Sequence, residues 1–184
     1  MCRSAAFKLK DAGALVEELD LDLSQGRPAF LSLRGLWFVA QMFPRLDKRD
    51  QFGANVANNV KSGLDVSTRD LAAAESFRGH LWHRFREFFA RYDYLLTPCM
   101  AVPPFPVEQN YPDHIAGKPM QTYIDWIAPT FVLSLTGLPV ASVPAGLDSG
   151  GMPVGLQISG KQFGEEAVLA LAAIIQAANP IRRA

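Results

Sequence analysis

The spacing of apolar and polar residues divides the chain into helices and strands that alternate along its length. Residues 4–12 read as a short helix ending at Gly13, and ALVEELDLDL after it alternates apolar and acidic positions with the period of a strand. GRPAFLSLRGLWFVAQMF is helical in pattern, with Pro28 in the first turn, where its missing N–H costs nothing, and Pro44 as its stop. Residues 47–62, DKRDQFGANVANNVKS, predict a more polar helix closed by Gly63. A capping box from Ser67 to Asp70 opens the clearest helix, whose buried stripe is Leu71, Ala74, Leu81, Phe85 and Phe88. YDYLLTP is a short strand leading into a proline-rich loop, PCMAVPPFPVEQNYPDHIAGKP, and a helix follows from about Met120. VASV and PVGLQISG are strands joined through LDSGGMP, a turn that makes them an antiparallel hairpin. In PVGLQISG, Val154, Leu156 and Ile158 face one way, and Gly155, Gln157 and Ser159 the other. Residues 165–178 close the pattern as an alanine-rich helix. The fold class predicted by this order is α/β, with helices packed on a mixed β-sheet.

Residues 126–147, WIAPTFVLSLTGLPVASVPAGL, carry no charge and are long enough for a membrane span. Their punctuation argues against one. Pro129, Pro139 and Pro144 each remove a backbone donor, and in hydrocarbon the freed carbonyls would need partners from other helices that the sequence does not offer. No membrane span is expected. The stretch divides at Gly137 into a buried helix up to about Leu135 and the VASV strand, whose flanking prolines and apolar content suit the inside of a sheet.

Composition narrows the class. The chain has 184 residues, of which 49% are hydrophobic and 20% charged, enough for one globular unit with a real core. Eighteen basic residues balance eighteen acidic ones and no basic stripe with interleaved aromatics occurs, so no nucleic-acid partner is expected. Cys2 and Cys99 are too few for a disulfide framework, and charges break up the first residues before any signal-peptide core can form. A cytoplasmic protein is expected.

Local chemistry offers little. His80 and His83 have the spacing of two metal ligands on one helix face, but no third ligand is near and Arg78, Arg84 and Arg86 would repel a cation. Solvated histidines are expected, with no metal and no cofactor. Cys2 as an N-terminal nucleophile is the less favoured reading of that residue. Ser149 followed by two glycines belongs to the hairpin turn. Cys99 ends a strand, where α/β sheets place functional side chains, so it reads either as a pocket residue or as a small buried hydrophobe. None of these residues comes with a base and an orienting partner, so no catalytic residue is assigned.

Four motifs occur in order: TP at residues 97–98, YIDW at 123–126, LTGLPVASVPAG at 135–146 and MPVGLQISG at 152–160. Together they resemble the amidase signature family, serine hydrolases that cleave carbon–nitrogen bonds. The resemblance is strongest from about Tyr92 to Ala178 and extends back to Ala5, where AAFKLKDAGALVEELDLDL is similar to the family's helix-then-strand segment. Cys99 stands where the family often has threonine, and Ser134 where it usually has asparagine; both bear on substrate class.

The resemblance implies a nucleophilic serine, a second serine and a lysine base, all upstream of the motifs matched here. The chain carries no glycine/serine-rich tract of that type. The expectation is therefore that residues 1–184 are a single α/β unit, the C-terminal portion of a longer amidase domain, inactive alone. Its partners would be a small-molecule amide in the complete enzyme and either the missing N-terminal half or a second copy. Asp125 reads as a polar anchor or a helix-start carboxylate. Tyr123 and Trp126 read as aromatic walls or ordinary packing, with Thr130, one turn on from Trp126, and Cys99 as further candidates for substrate binding. Two alternatives stand beside this one. One is a non-catalytic binding or assembly module that keeps the fold. The other is a glutamine-dependent amidotransferase subunit, disfavoured because no arginine in the motif regions would take the glutamine carboxylate. Loss of an N-terminal half would leave Leu133, Val140 and Val143 underprotected.

Overall fold

The computed structural model describes residues 1–180 and forms two compact units, one made of Met1–Asp22 with the chain from Phe85 onward, the other of Leu23–Arg84. In the second, α2 (Gly26–Met42) is followed by a 3-10 helix at Phe43–Gln51, by α3 (Ala54–Leu64) and by the first part of α4 (Thr68–Arg91). Helices α2 and α3 meet backbone to backbone. A Cβ on Gly63 would run into the Gly35 carbonyl, so the approach needs a glycine on each helix. Gly63 therefore lies inside α3 as a contact point, not after it as the expected cap. Pro44 does end α2, but the polar segment beyond it begins as the 3-10 helix and becomes α-helical only at Ala54.

The capping box forms as expected. Asp70 N–H donates to Ser67 Oγ at 3.1 Å, and the Asp70 carboxylate accepts from Ser67 N–H at 3.0 Å. Along α4, Ala74, Leu81, Phe85 and Phe89 are buried, and Leu71 and Phe88 only partly so. His80 and His83 are exposed on its other side.

The unit that contains both ends of the described chain is built on three strands, β1 (Tyr94–Pro98), β4 (Val140–Leu147) and β5 (Pro153–Gly160), in the order β1-β5-β4. Both ladders are antiparallel. The hairpin linking β4 to β5 is closed by Asp148, whose Oδ1 accepts from the N–H groups of Gly150 and Met152 at 2.8 and 2.9 Å. Strand β4 thus pairs as expected but lies at an edge of this sheet, not inside it. Pro144 has no N–H to offer a second neighbour, and a bulge follows it before Gly146, at φ +120°.

One face of the sheet makes the core. Val143, Leu156 and Ile158 meet Val168, Ala172 and Ile175 of α6 (Glu165–Ala178). Ala5 of α1 (Cys2–Phe7) and Leu9 of the 3-10 helix that follows complete it. Positions 168, 172 and 175 share one helix face, and each large aliphatic side chain buried there contributes about 1.5–3 kcal/mol. Leu133 and Val143 are buried at 2% and 4% exposure, and only Val140, at 42%, is open. Their protection comes from this unit itself, contrary to the expectation of exposure.

Two further segments differ from the pattern. Residues 14–23 form no strand, because alternation supplies the faces of a strand but not the neighbour that its backbone needs. The helix expected from Met120 begins at Ala128 as α5 (Ala128–Ser134), after a 3-10 turn at Asp125–Ile127. Pro129 fits only a first turn, so the helix cannot start earlier without losing a hydrogen bond. The long loop holds a small hairpin, β2 (His114–Ile115) and β3 (Lys118–Pro119), turned by Ala116 and Gly117 at positive φ. Gly137, at φ +66°, separates α5 from β4 where the uncharged stretch divides. No helix among the described residues is long and apolar enough to cross a membrane.

Candidate functional site

The face of the sheet opposite the core is polar. Thr97, Cys99, Ser142, Gly155, Gln157 and Ser159 all belong to it, because they alternate with the core residues along the three strands and pair across them. Cys99 extends β1 by one position, its N–H donating to Gly155 O at 3.1 Å. Its thiol lies 3.1 Å from Ser142 Oγ. Room for that sulfur depends on Gly155, where an added Cβ would stand 2.8 Å from it.

Helix α5 is tied to this face from above. Thr130 Oγ1 donates to Cys99 O at 2.6 Å, and Gln157 Nε2 donates to Thr97 Oγ1, Pro98 O and Pro129 O at 3.1–3.2 Å. Ala101 N–H reaches Trp126 O at 3.1 Å, which draws the start of the long loop against the turn before α5. The Trp126 indole N–H donates to Tyr123 O at 2.8 Å, and the ring meets Phe105 edge-on at 5.1 Å between centroids. Asp125 Oδ2 accepts from the N–H groups of Gln121 and Thr122, both at 2.9 Å. The carboxylate thus closes the turn ahead of its own helix.

All five residues singled out in the sequence fall in this region: Cys99 buried, and Tyr123, Asp125, Trp126 and Thr130 half-buried. Hydrogen bonds join Cys99 to Thr130, Ala101 to Trp126, and Trp126 to Tyr123. Sequence reasoning passed over Gln157, Phe105 and Ser142. For Gln157 a signal existed, a lone amide in the middle of an otherwise apolar strand, on the same face as Gly155 and Ser159. Two hydroxyls here, Thr122 Oγ1 and Ser159 Oγ, are buried without a hydrogen-bond partner.

Cys2 sits against the same strand, its thiol 3.4 Å from Gly155 O. Burial pushes the Cys2 thiol up from its ordinary 9.0 despite the nearby N-terminal amine, so little thiolate forms at neutral pH. That state suits a packed thiol and weakens its reading as a nucleophile.

A family model described as Amidase matches residues 3–169. An acylamidase of Rhodococcus erythropolis is 30% identical over 182 residues, which are 92% of this chain and 38% of that protein. A glutamyl-tRNA(Gln) amidotransferase subunit of Geotalea daltonii is 39% identical over 130 residues, 68% of this chain and 26% of its own. Among solved structures, a bacterial aryl acylamidase of the amidase signature family superposes with a TM-score of 0.85 at 26% identity, over 98% of this chain and 40% of that one. The chain therefore spans well under half the length of these relatives.

Proposed function

The chain belongs to the amidase family, and from that premise we propose that it is the C-terminal portion of an amidase-type hydrolase, supplying pocket walls but not the nucleophile. In the complete enzyme a serine oxygen attacks the amide carbonyl, and its proton passes through a second serine to a neutral lysine. Backbone N–H groups hold the oxyanion, the carbon–nitrogen bond breaks as the amine takes up a proton, and water then releases the acid from the acyl-serine. The observation that carries this reading is the joint between β1 and α5. Thr130 fixes Cys99 by its carbonyl, and the Trp126–Phe105 pair stands beside it as an apolar wall. Tyr123 continues that wall. Asp125 shapes its rim by holding the turn.

A glutamine-dependent amidotransferase subunit is the second reading, favoured by the 39% identity to the Geotalea amidotransferase. It needs a clamp for both charges of glutamine. The carboxylate of Asp125 already serves two backbone N–H groups, and residues 92–180 contain no arginine. The amidase reading is preferred for that reason.

The test is hydrolysis of an aryl acylamide by the isolated chain and by a chimera in which this chain replaces the matched part of the Rhodococcus acylamidase. The chimera should turn over and the isolated chain should not. Steady turnover by the isolated chain that survives Cys2→Ala would overturn the proposal, and a folded but inactive chimera would favour the non-catalytic module.

A further inference from the structure

The segment between Gly13 and α2 is held by its side chains while its backbone is left open. Val16 packs against the core, the Glu17 carboxylate accepts from Tyr92 O–H at 2.7 Å, and Glu18 pairs with Arg3 at 2.5 Å. Yet among the described residues no backbone–backbone hydrogen bond involves 15–21. Leu15 is 100% exposed and Leu19 47%, both at the odd positions of the alternation. A run with the side-chain period of a strand, pinned in place, with unpaired N–H and C=O groups and bare leucines, is a template for another strand.

We propose that residues 14–23 dock a β-strand bearing apolar and basic side chains, supplied by the part of the amidase fold that lies outside this chain. The proposal rests on the reading of the chain as a portion of a larger enzyme. Two observations choose the occupant. The chain covers 38–40% of the acylamidases it matches, so most of their fold remains to provide a strand. The segment also carries Glu17, Glu18, Asp20 and Asp22, so a second copy laid alongside would set carboxylates against carboxylates. A basic strand would meet them favourably, and its apolar positions would cover Leu15 and Leu19.

Amide hydrogen exchange on the isolated chain and on the acylamidase chimera tests this. Amides 15–21 should exchange close to the unprotected rate in the isolated chain and at least about a hundredfold more slowly in the chimera. Leu19→Pro, which removes a ladder N–H, should leave the melting temperature of the isolated chain unchanged and abolish the slowing in the chimera. Slow exchange in the isolated chain overturns the proposal. If that slowing is independent of concentration, the segment already has a partner; if it grows with concentration, a second copy fills the site. Fast exchange in an active chimera overturns the docking strand and leaves the amidase reading standing. Slow exchange in an inactive chimera does the reverse. If the chimera does not fold, the remainder of the acylamidase is added as a separate polypeptide, and no slowing at 15–21 then overturns the proposal.

Discussion

Thr130 Oγ1 donates to the carbonyl oxygen of Cys99 at 2.6 Å across 31 positions of sequence, and this bond fastens the first turns of α5 to the end of β1. Thr130→Val keeps the shape of the side chain and removes the donor. The expected cost is about 1 kcal/mol in chemical denaturation, with Thr130→Ser close to the parent. An unchanged midpoint for Thr130→Val would mean that the joint is held by Gln157 alone.

Gly155→Ala places a methyl group 2.8 Å from Cys99 Sγ and 3.4 Å from Ser142 Oγ. Both neighbours are held by the sheet, so the variant should lose about 1–3 kcal/mol. Adding Cys99→Ala removes the sulfur and should recover part of that loss, giving a favourable coupling in a double-mutant cycle. Additive effects would show that the methyl group strains something other than the thiol.

Ser159 is 1% exposed, and its hydroxyl has no hydrogen-bond partner. A buried hydroxyl left unsatisfied costs more than its absence, so Ser159→Ala should stabilise the chain by about 1 kcal/mol. Thermal unfolding of the two proteins side by side decides it, and a lower melting temperature for the alanine variant would refute the argument.

The hydrogen bonds from Ser67 hold the Asp70 carboxyl below the ordinary aspartate value of 3.8. A folded-state value below the unfolded one means that this cap stabilises α4 above pH 3.8 and is lost as the pH falls through the lower folded-state value. Amides at the start of α4 should therefore exchange faster only under acid conditions. In Asp70→Asn that acid-dependent step should disappear.

Elements with complete local signals were legible before the structure. The Ser67 to Asp70 box, the Asp148 turn with its two strands and the Glu165–Ala178 helix all carry their own start, stop and period. Residues 14–23 were misread because a strand is a property of two chains, and only one is written in the pattern. The start of α5 was misplaced by eight positions, since Pro129 sets it and the apolar run upstream does not. At the candidate site, Cys99, Tyr123, Asp125, Trp126 and Thr130 could be picked out by motif. What fastens them could not, because Thr130–Cys99 and Gln157–Pro129 bonds join residues 31 and 28 positions apart.

Gln157 offers two amide hydrogens to three oxygens, on Thr97, Pro98 and Pro129, at nearly equal distance. Demand exceeds supply by one, so a small slide of α5 over β1 trades one acceptor for another without stranding the amide. Gln157 therefore works as a swivel: α5 can adjust its seat, and with it the wall of Trp126 and Tyr123, while the strand beneath stays fixed.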